Sequence, residues 1–202
     1  RLAIEKAREV NMPRDNIERA ISKGRGEGES VQLEELTCEG YGPQGVAILV
    51  EALTDNRNRT LSEINYLFSK GGGNLGKAGC VAWMFKRRGV ITFERDKIDE
   101  DKLTSAAIEA GAEDINLEES ILEVITKPED LEEVRDSLKG QGFEIASAEV
   151  TMFPQSTVKL AGENAHKALK LVNSLEEQED VQAVHANFDI PDEIIAQEVT
   201  KE

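Results

Sequence analysis

The sequence predicts an α+β fold in which a helical N-terminal segment precedes two ferredoxin-like βαββαβ domains, one inserted into the other. Three observations carry this expectation. Apolar residues recur at helical spacing over residues 1–24, a polar glycine-rich stretch then breaks the pattern (GRGEGES, Gly24–Ser30), and beyond Gly45 strand-like and helix-like segments alternate. With 202 residues, of which 39% are hydrophobic, the chain can bury more than one small core.

In the first segment Leu2, Ile4, Ala7 and Val10 form one apolar set. Pro13 suits the first turn of a second helix, Asp15 and Glu18 lie near its positive end, and Ile17, Ala20 and Ile21 share a face up to Gly24. We expect this partial helical domain to end at residue 24 and residues 25–44 to be a linker. The start at Arg1, within a helical pattern and without an initiator Met, leads us to expect sequence upstream.

Val46–Leu53 then reads as a strand, Thr60–Lys70 as a helix with Leu61, Ile64, Leu67 and Phe68 inward, and Cys80–Phe85 as a strand of period two. A complete βαββαβ unit follows: strand 90–93, helix 101–110, a short strand near Ile115, strand 121–125, helix 128–139 and strand 143–151. At the end of the chain a strand at 157–160, a helix at 164–175 and a strand at 181–186 supply the half that the first unit lacks. A half-sheet alone leaves an apolar face and two edges uncovered, so the two halves are expected to pair. The expected boundaries are 45–87 plus 154–190 for the split domain, 88–153 for the inserted one and 191–202 for a tail.

Charge is sorted along this chain. The formal net charge is −16, yet residues 57–88 hold seven Lys and Arg against Glu63 alone, a local +6. Residues 1–25 add +3, and residues 89–152 carry −12. A basic strip on an acidic body focuses polyanions on one face, so Arg57, Asn58, Arg59, Lys70, Lys77, Lys86, Arg87 and Arg88 are the candidate contacts for nucleic acid or a nucleoprotein. Tyr66, Phe68, Trp83 and Phe85 interleave with them as bases are stacked elsewhere, but their spacing assigns Phe68 to a helix core and Trp83 and Phe85 to sheet packing.

Catalytic patterns fail on context. Gly71–Gly76 spells GGGNLG, and Lys77 is followed by Ala78 where a phosphate loop needs Ser or Thr. Here a helix precedes the glycines and a strand is expected after them, the reverse of a phosphate cradle, so they read as a helix terminus. His166 and His185 belong to no metal-ligand spacing, and the carboxylates run in acidic stretches. We expect no enzyme, cofactor, metal or small-molecule substrate. No run is long enough to span a bilayer, and Cys38 and Cys80 are too few for a disulfide framework, which together point to the cytoplasm.

Six strings give the chain a resemblance: Asn11-Met12-Pro13, Glu39-Gly40-Tyr41-Gly42-Pro43, Thr54 to Thr60 (TDNRNRT), Gly72 to Gly76 (GGNLG), Val81-x-Trp83-x-Phe85 and Asp189-Ile190-Pro191. Together they resemble the YebC/PmpR family, whose mitochondrial relatives include a translational activator of cytochrome c oxidase. The resemblance implies three domains, a basic segment upstream of Arg1, and regulation of gene expression through nucleic acid. Two modes come with it: DNA-binding transcriptional regulation, and ribosome-associated assistance to translation of difficult nascent sequences through ribosomal RNA. A protein-only scaffold is the third alternative. Cys38 and Gln44 stand where the family usually has Tyr and Gly, and His185-Ala186 where it has Tyr-His. No helix-turn-helix and no zipper is visible, so a monomer is expected.

Overall fold

The computed structural model describes residues 3, 4, 7, 12–24, 33–117, 120–191 and 194, in two compact units, 1–34 and 35–202. In the first unit Ala3, Ile4 and Ala7 are helical and a second helix, α1 (Arg14–Gly24), follows. Pro13 stands just before α1, where its missing N–H costs nothing and its carbonyl accepts from Asn16 and Ile17. The expectations for Leu2, Val10, the 25–32 stretch and residues 195–202 lie outside the described residues.

In the second unit the strands are β1 (Glu34–Tyr41), β2 (Ala47–Thr54), β3 (Asn74–Leu75), β4 (Phe85–Glu94), β5 (Asp114–Leu117), β6 (Ile121–Thr126), β7 (Ser147–Pro154), β8 (Val158–Lys159), β9 (Val181–Ala186) and β10 (Phe188–Asp189). The helices are α2 (Arg57–Lys70), α3 (Glu100–Ala110), α4 (Leu131–Gly140) and α5 (Gly162–Glu176). Four strands in the order β3-β1-β2-β9 make one sheet and four in the order β5-β6-β4-β7 make another.

The first sheet is buried on both sides. Ile48, Val50 and Ala52 of β2 meet Ile64 and Phe68 of α2 and Ala165, Ala168, Leu171 and Leu175 of α5. On the other face Ala47 and Leu49 pack with Val81 and Phe85. Double burial explains why β2 reads as a near-continuous apolar run rather than an alternating one. In the second sheet Ile91, Phe93, Leu122 and Val124 are fully buried, as are Leu103 of α3 and Leu131 and Leu138 of α4, whose elements follow in the order β4-α3-β5-β6-α4-β7.

Four expectations are corrected. The first concerns the linker at 25–44, since Glu34–Tyr41 is a strand inside the sheet. Its acids and glycine hide the signal, and both have tertiary reasons: Glu39 is buried, and a Cβ on Gly40 would lie 2.6 Å from the Phe68 ring and 2.7 Å from the Asn74 carbonyl. The second concerns the strand at 80–85. Ala82–Met84 is a short 3-10 turn, and the strands expected at 80–85 and 90–93 are replaced by the single strand β4, which runs through the expected boundary at 87/88. Gly89 lets β4 pass beneath α4, because a side chain there would collide with Thr126 Oγ1 and Leu131.

The third correction moves Val158–Lys159 out of the first sheet. It pairs in parallel with Phe188–Asp189, and the place beside β2 belongs to β1. The few residues between β1 and β2 close a loop at far lower entropic cost than a strand from the end of the chain, and they allow only an antiparallel pair. The chain end contributes β9, which pairs with β2 from Ile48↔Ala186 to Ala52↔Val181 with a bulge at Glu51/Ala52, and α5. Fourth, α2 starts at Arg57, one turn earlier than Thr60, because the Asn56 side chain caps it by accepting from the Arg59 N–H at 3.2 Å.

Candidate nucleic-acid interface

The candidate cations are spread over several places. Arg57, Asn58 and Arg59 form the first turn of α2, Lys70 ends that helix about 20 Å away along its axis, and Lys86–Arg88 open β4. Lys77 lies in the loop between β3 and β4. They do not form one continuous strip.

At the first turn of α2 both arginines are exposed. Arg59 Nη2 donates to Asp55 Oδ1 at 3.0 Å and to both Asp180 oxygens at 3.1 and 2.9 Å. Asp180, at the entry to β9, also accepts from Thr60 Oγ1 at 2.6 Å and Thr54 Oγ1 at 3.2 Å. The Arg59 guanidinium and the Thr60 hydroxyl, helped by Gln178, hold the Asp180 carboxyl down at about 2 against partial burial. Much of the TDNRNRT string is therefore a clamp that ties the start of α2 to β9. Asp180 is 120 residues from Thr60 along the chain, and no local signal marks it.

This clamp has a pH signature. A carboxylate with a depressed folded-state pKa contributes stability above its unfolded value, here 3.8, and loses it as pH falls toward 2. Asp180→Asn is expected to lower the unfolding free energy at neutral pH by roughly 1–2 kcal/mol, allowing for solvent screening, and to flatten the acid limb between pH 5 and 2. Urea melts across that range check it. An unaltered acid limb would leave the clamp without energetic weight.

The loop from Gly71 to Met84 is built around an unforeseen residue, Glu39. Its carboxylate accepts from the N–H groups of Gly79 (2.6 Å), Val81 (2.8 Å) and Ala82 (2.7 Å), and its carbonyl accepts from Gly76 N–H at 2.7 Å. Burial pushes the Glu39 carboxyl up, but these three backbone donors outweigh it and hold the group below its usual range. Lys77 to Cys80 form a turn closed by Cys80 N–H on the Lys77 carbonyl (3.1 Å), with Gly79 at φ +84° where a side chain would be strained. The Cys80 carbonyl in turn accepts from Tyr41 Oη at 3.0 Å and Trp83 Nε1 at 3.1 Å. The assignment of Trp83 to sheet packing is overturned: in the 3-10 turn Val81 and Phe85 go inward and Trp83 is 68% exposed. Its readable signs were its place among the cations of the basic segment and its being the only tryptophan in the chain.

In β4, alternation puts Lys86 and Arg88 on one face and Arg87 on the other. Arg88 pairs with Glu113 at 2.7 Å, and Arg87 lines a cleft of about 650 Å³ between the sheets with Glu35, Glu51, Thr151 and Gln182. Lys70 lies 5.9 Å above the Tyr66 ring. Lys77, Lys86 and Arg87 have no ion-pair partner among the described residues, and all three are exposed. His185 bridges the sheets, with Nδ1 3.2 Å from Thr151 Oγ1 and Nε2 3.4 Å from Glu51. Among the described residues no group of three or more His, Cys, Asp or Glu is placed to hold a metal ion.

Comparison with known proteins gives this geometry a context. The profile described as the second and third domain of TACO1/YebC matches residues 33–188. A protein of Dictyoglomus turgidum named a probable transcriptional regulatory protein is 56% identical over 196 residues, covering 96% of this chain and 79% of its own length. One of the same name from Syntrophus aciditrophicus is also 56% identical, covering 96% and 78%. The crystal structure of a conserved hypothetical protein from Aquifex aeolicus is 50% identical and superposes with a TM-score of 0.82, covering 94% of this chain and 78% of the other.

Proposed function

The chain belongs to the TACO1/YebC family, and from that premise we propose that it is a transcriptional regulator that works by binding nucleic acid through cations of residues 57–88. The observation that carries the proposal is a +6 segment on a −16 chain in which Lys77 and Lys86 stand exposed and free of carboxylate partners among the described residues. The names of the relatives support it. Arg57, Asn58, Lys70 and Arg87 are further candidate contacts, at the two ends of α2 and on the other face of β4. Arg59 and Arg88 act first as structural ions, so a phosphate has to compete with Asp180 and Glu113 for them.

In this reading the protein is a cytoplasmic monomer and not an enzyme. Residues 1–24 belong to a helical N-terminal domain, and the β4-to-β7 body is a ferredoxin-like domain inserted between β3 and β8. The sheet order β5-β6-β4-β7 with two helices supports that assignment.

Binding to a DNA duplex across a salt series tests the function. Replacing Lys77 and Lys86 with Ala is expected to weaken binding and reduce the slope of log K against log salt by about 0.9 for each phosphate no longer neutralised. An unchanged slope removes these two from the interface. A true operator shows specific binding on the order of 10³ or more above nonspecific binding. Cosedimentation with ribosomes and no such operator would transfer the protein to translation.

A further inference from the structure

We infer that Trp83 is a stacking platform for an unpaired nucleobase, with Lys77 and Lys86 placed for the flanking phosphates. This rests on the nucleic-acid reading above and narrows it: at this loop a single strand, whose base faces are open to an indole, binds in preference to an intact duplex, which meets the lysines alone.

Rigidity and exposure combine at this ring. The Trp83 N–H is already engaged by the Cys80 carbonyl at 3.1 Å, so the ring edge is anchored while the residue stays 68% exposed. Cys80 is itself held by the Lys77 carbonyl and by Tyr41 Oη, and the backbone on either side by Glu39. Past the ring, Gln155 donates from Nε2 to the Trp83 carbonyl at 2.8 Å and from its backbone N–H to the Met84 carbonyl at 2.8 Å. A ring fixed in this way loses little conformational freedom on meeting a ligand, which is what preorganisation for binding requires. An indole presented to water without such a ligand forgoes the burial that would stabilise it.

Charge points to the same class of ligand. Residues 64–93 contain no Asp or Glu, and the Glu39 carboxylate beneath the loop is buried and occupied by backbone donors. Lys77 begins the turn that holds the indole, and Lys86 is the second residue of the strand that leaves it. An exposed indole with a lysine on either side of it in the chain, and no acid near in sequence, matches a base between two phosphates. An acidic protein segment would satisfy the lysines but not the flat ring.

Because Trp83 is the only tryptophan, its fluorescence reports the site directly. The intact chain is titrated with a dodecamer of uridylate, a dodecamer of thymidylate and a mixed-sequence duplex of equal length. The single strands are expected to quench the fluorescence. Trp83→Ala is expected to weaken single-strand binding roughly 5- to 100-fold, while Trp83→Phe keeps most of it and duplex binding changes less than about twofold. Quenching by either strand supports the platform, and a preference between them reports the combined effect of the sugar and the thymine methyl. Absence of quenching with unaltered Trp83→Ala affinity overturns it, as does equal weakening on single strand and duplex. If Lys77→Ala with Lys86→Ala still weakens duplex binding in that case, the nucleic-acid reading survives. If no strand or duplex binds the intact chain even at low salt, both fall.

Discussion

Glu39→Ala is expected to cost about 3–5 kcal/mol of unfolding free energy, a large effect for one surface-proximal side chain. Glu39 is 7% exposed and its carboxylate is the acceptor for Gly79, Val81 and Ala82 N–H. Hydrogen bonds to a charged group contribute about 1.5–3 kcal/mol each, and removing the acceptor leaves part of a half-buried loop with unpaired donors. Glu39→Gln does little better, because its NH2 turns a donor toward donors. The same carboxyl sits below its normal range, so its contribution is present above about pH 4.5 and fades as pH falls, in the same direction as Asp180. Chemical denaturation measures the loss, and hydrogen exchange should show the 79, 81 and 82 amides opening first. A cost under about 1 kcal/mol would mean that the carboxylate does not hold the loop.

The second large effect is on the chain after Pro154. Deleting residues 155–202 removes β9 from the edge of β2 and strips α5 from the face it covers. Ala165, Ala168, Leu171, Val172 and Leu175 are buried there, and uncovering Ile48, Val50 and Phe68 forfeits roughly 5–10 kcal/mol of apolar burial. That equals the whole stability of a typical domain. A fragment of residues 33–154 is therefore expected to aggregate with an open sheet edge. Residues 85–154 hold a complete four-stranded sheet with its two helices and are expected to fold alone. The cut falls at Phe85 because β4 begins there. A soluble, cooperatively melting 33–154 fragment would refute the dependence on the chain end.

The site was legible in part. The sorted charge marked a candidate stretch, because charge is a property of composition and survives any error in secondary structure. It did not separate Lys77 and Lys86, which stand exposed, from Arg59 and Arg88, which are held by Asp180 and Glu113. Those partners are chosen by the fold. Trp83 was misplaced because three apolar residues at period two look identical in a strand and in a turn that sends the middle one outward. The resemblance read from the motif strings is confirmed by the profile over residues 33–188.

By itself the sequence determined the mixed α+β class, the helix face of α2, the extent of β2 and the alternation that gives β4-α3-β5-β6-α4-β7 its order. Each of these rests on side chains within a turn or two of one another, where hydrophobic periodicity carries the signal. Only the tertiary structure decided that Glu34–Tyr41 is a strand in the middle of a sheet, that Val158–Lys159 is not in that sheet, and that a buried carboxylate and a distant aspartate hold the two polar strings in place. In each case the deciding partner is remote in the chain. Glu39 and Gly40 disfavour a strand locally, and it is the backbone donors of Gly79 and Val81, 40 and 42 residues further on, and the Phe68 ring that stabilise them there. When burial with distant partners outweighs local propensity, the residues that carry the effect look like exceptions in the sequence and become legible only in contact.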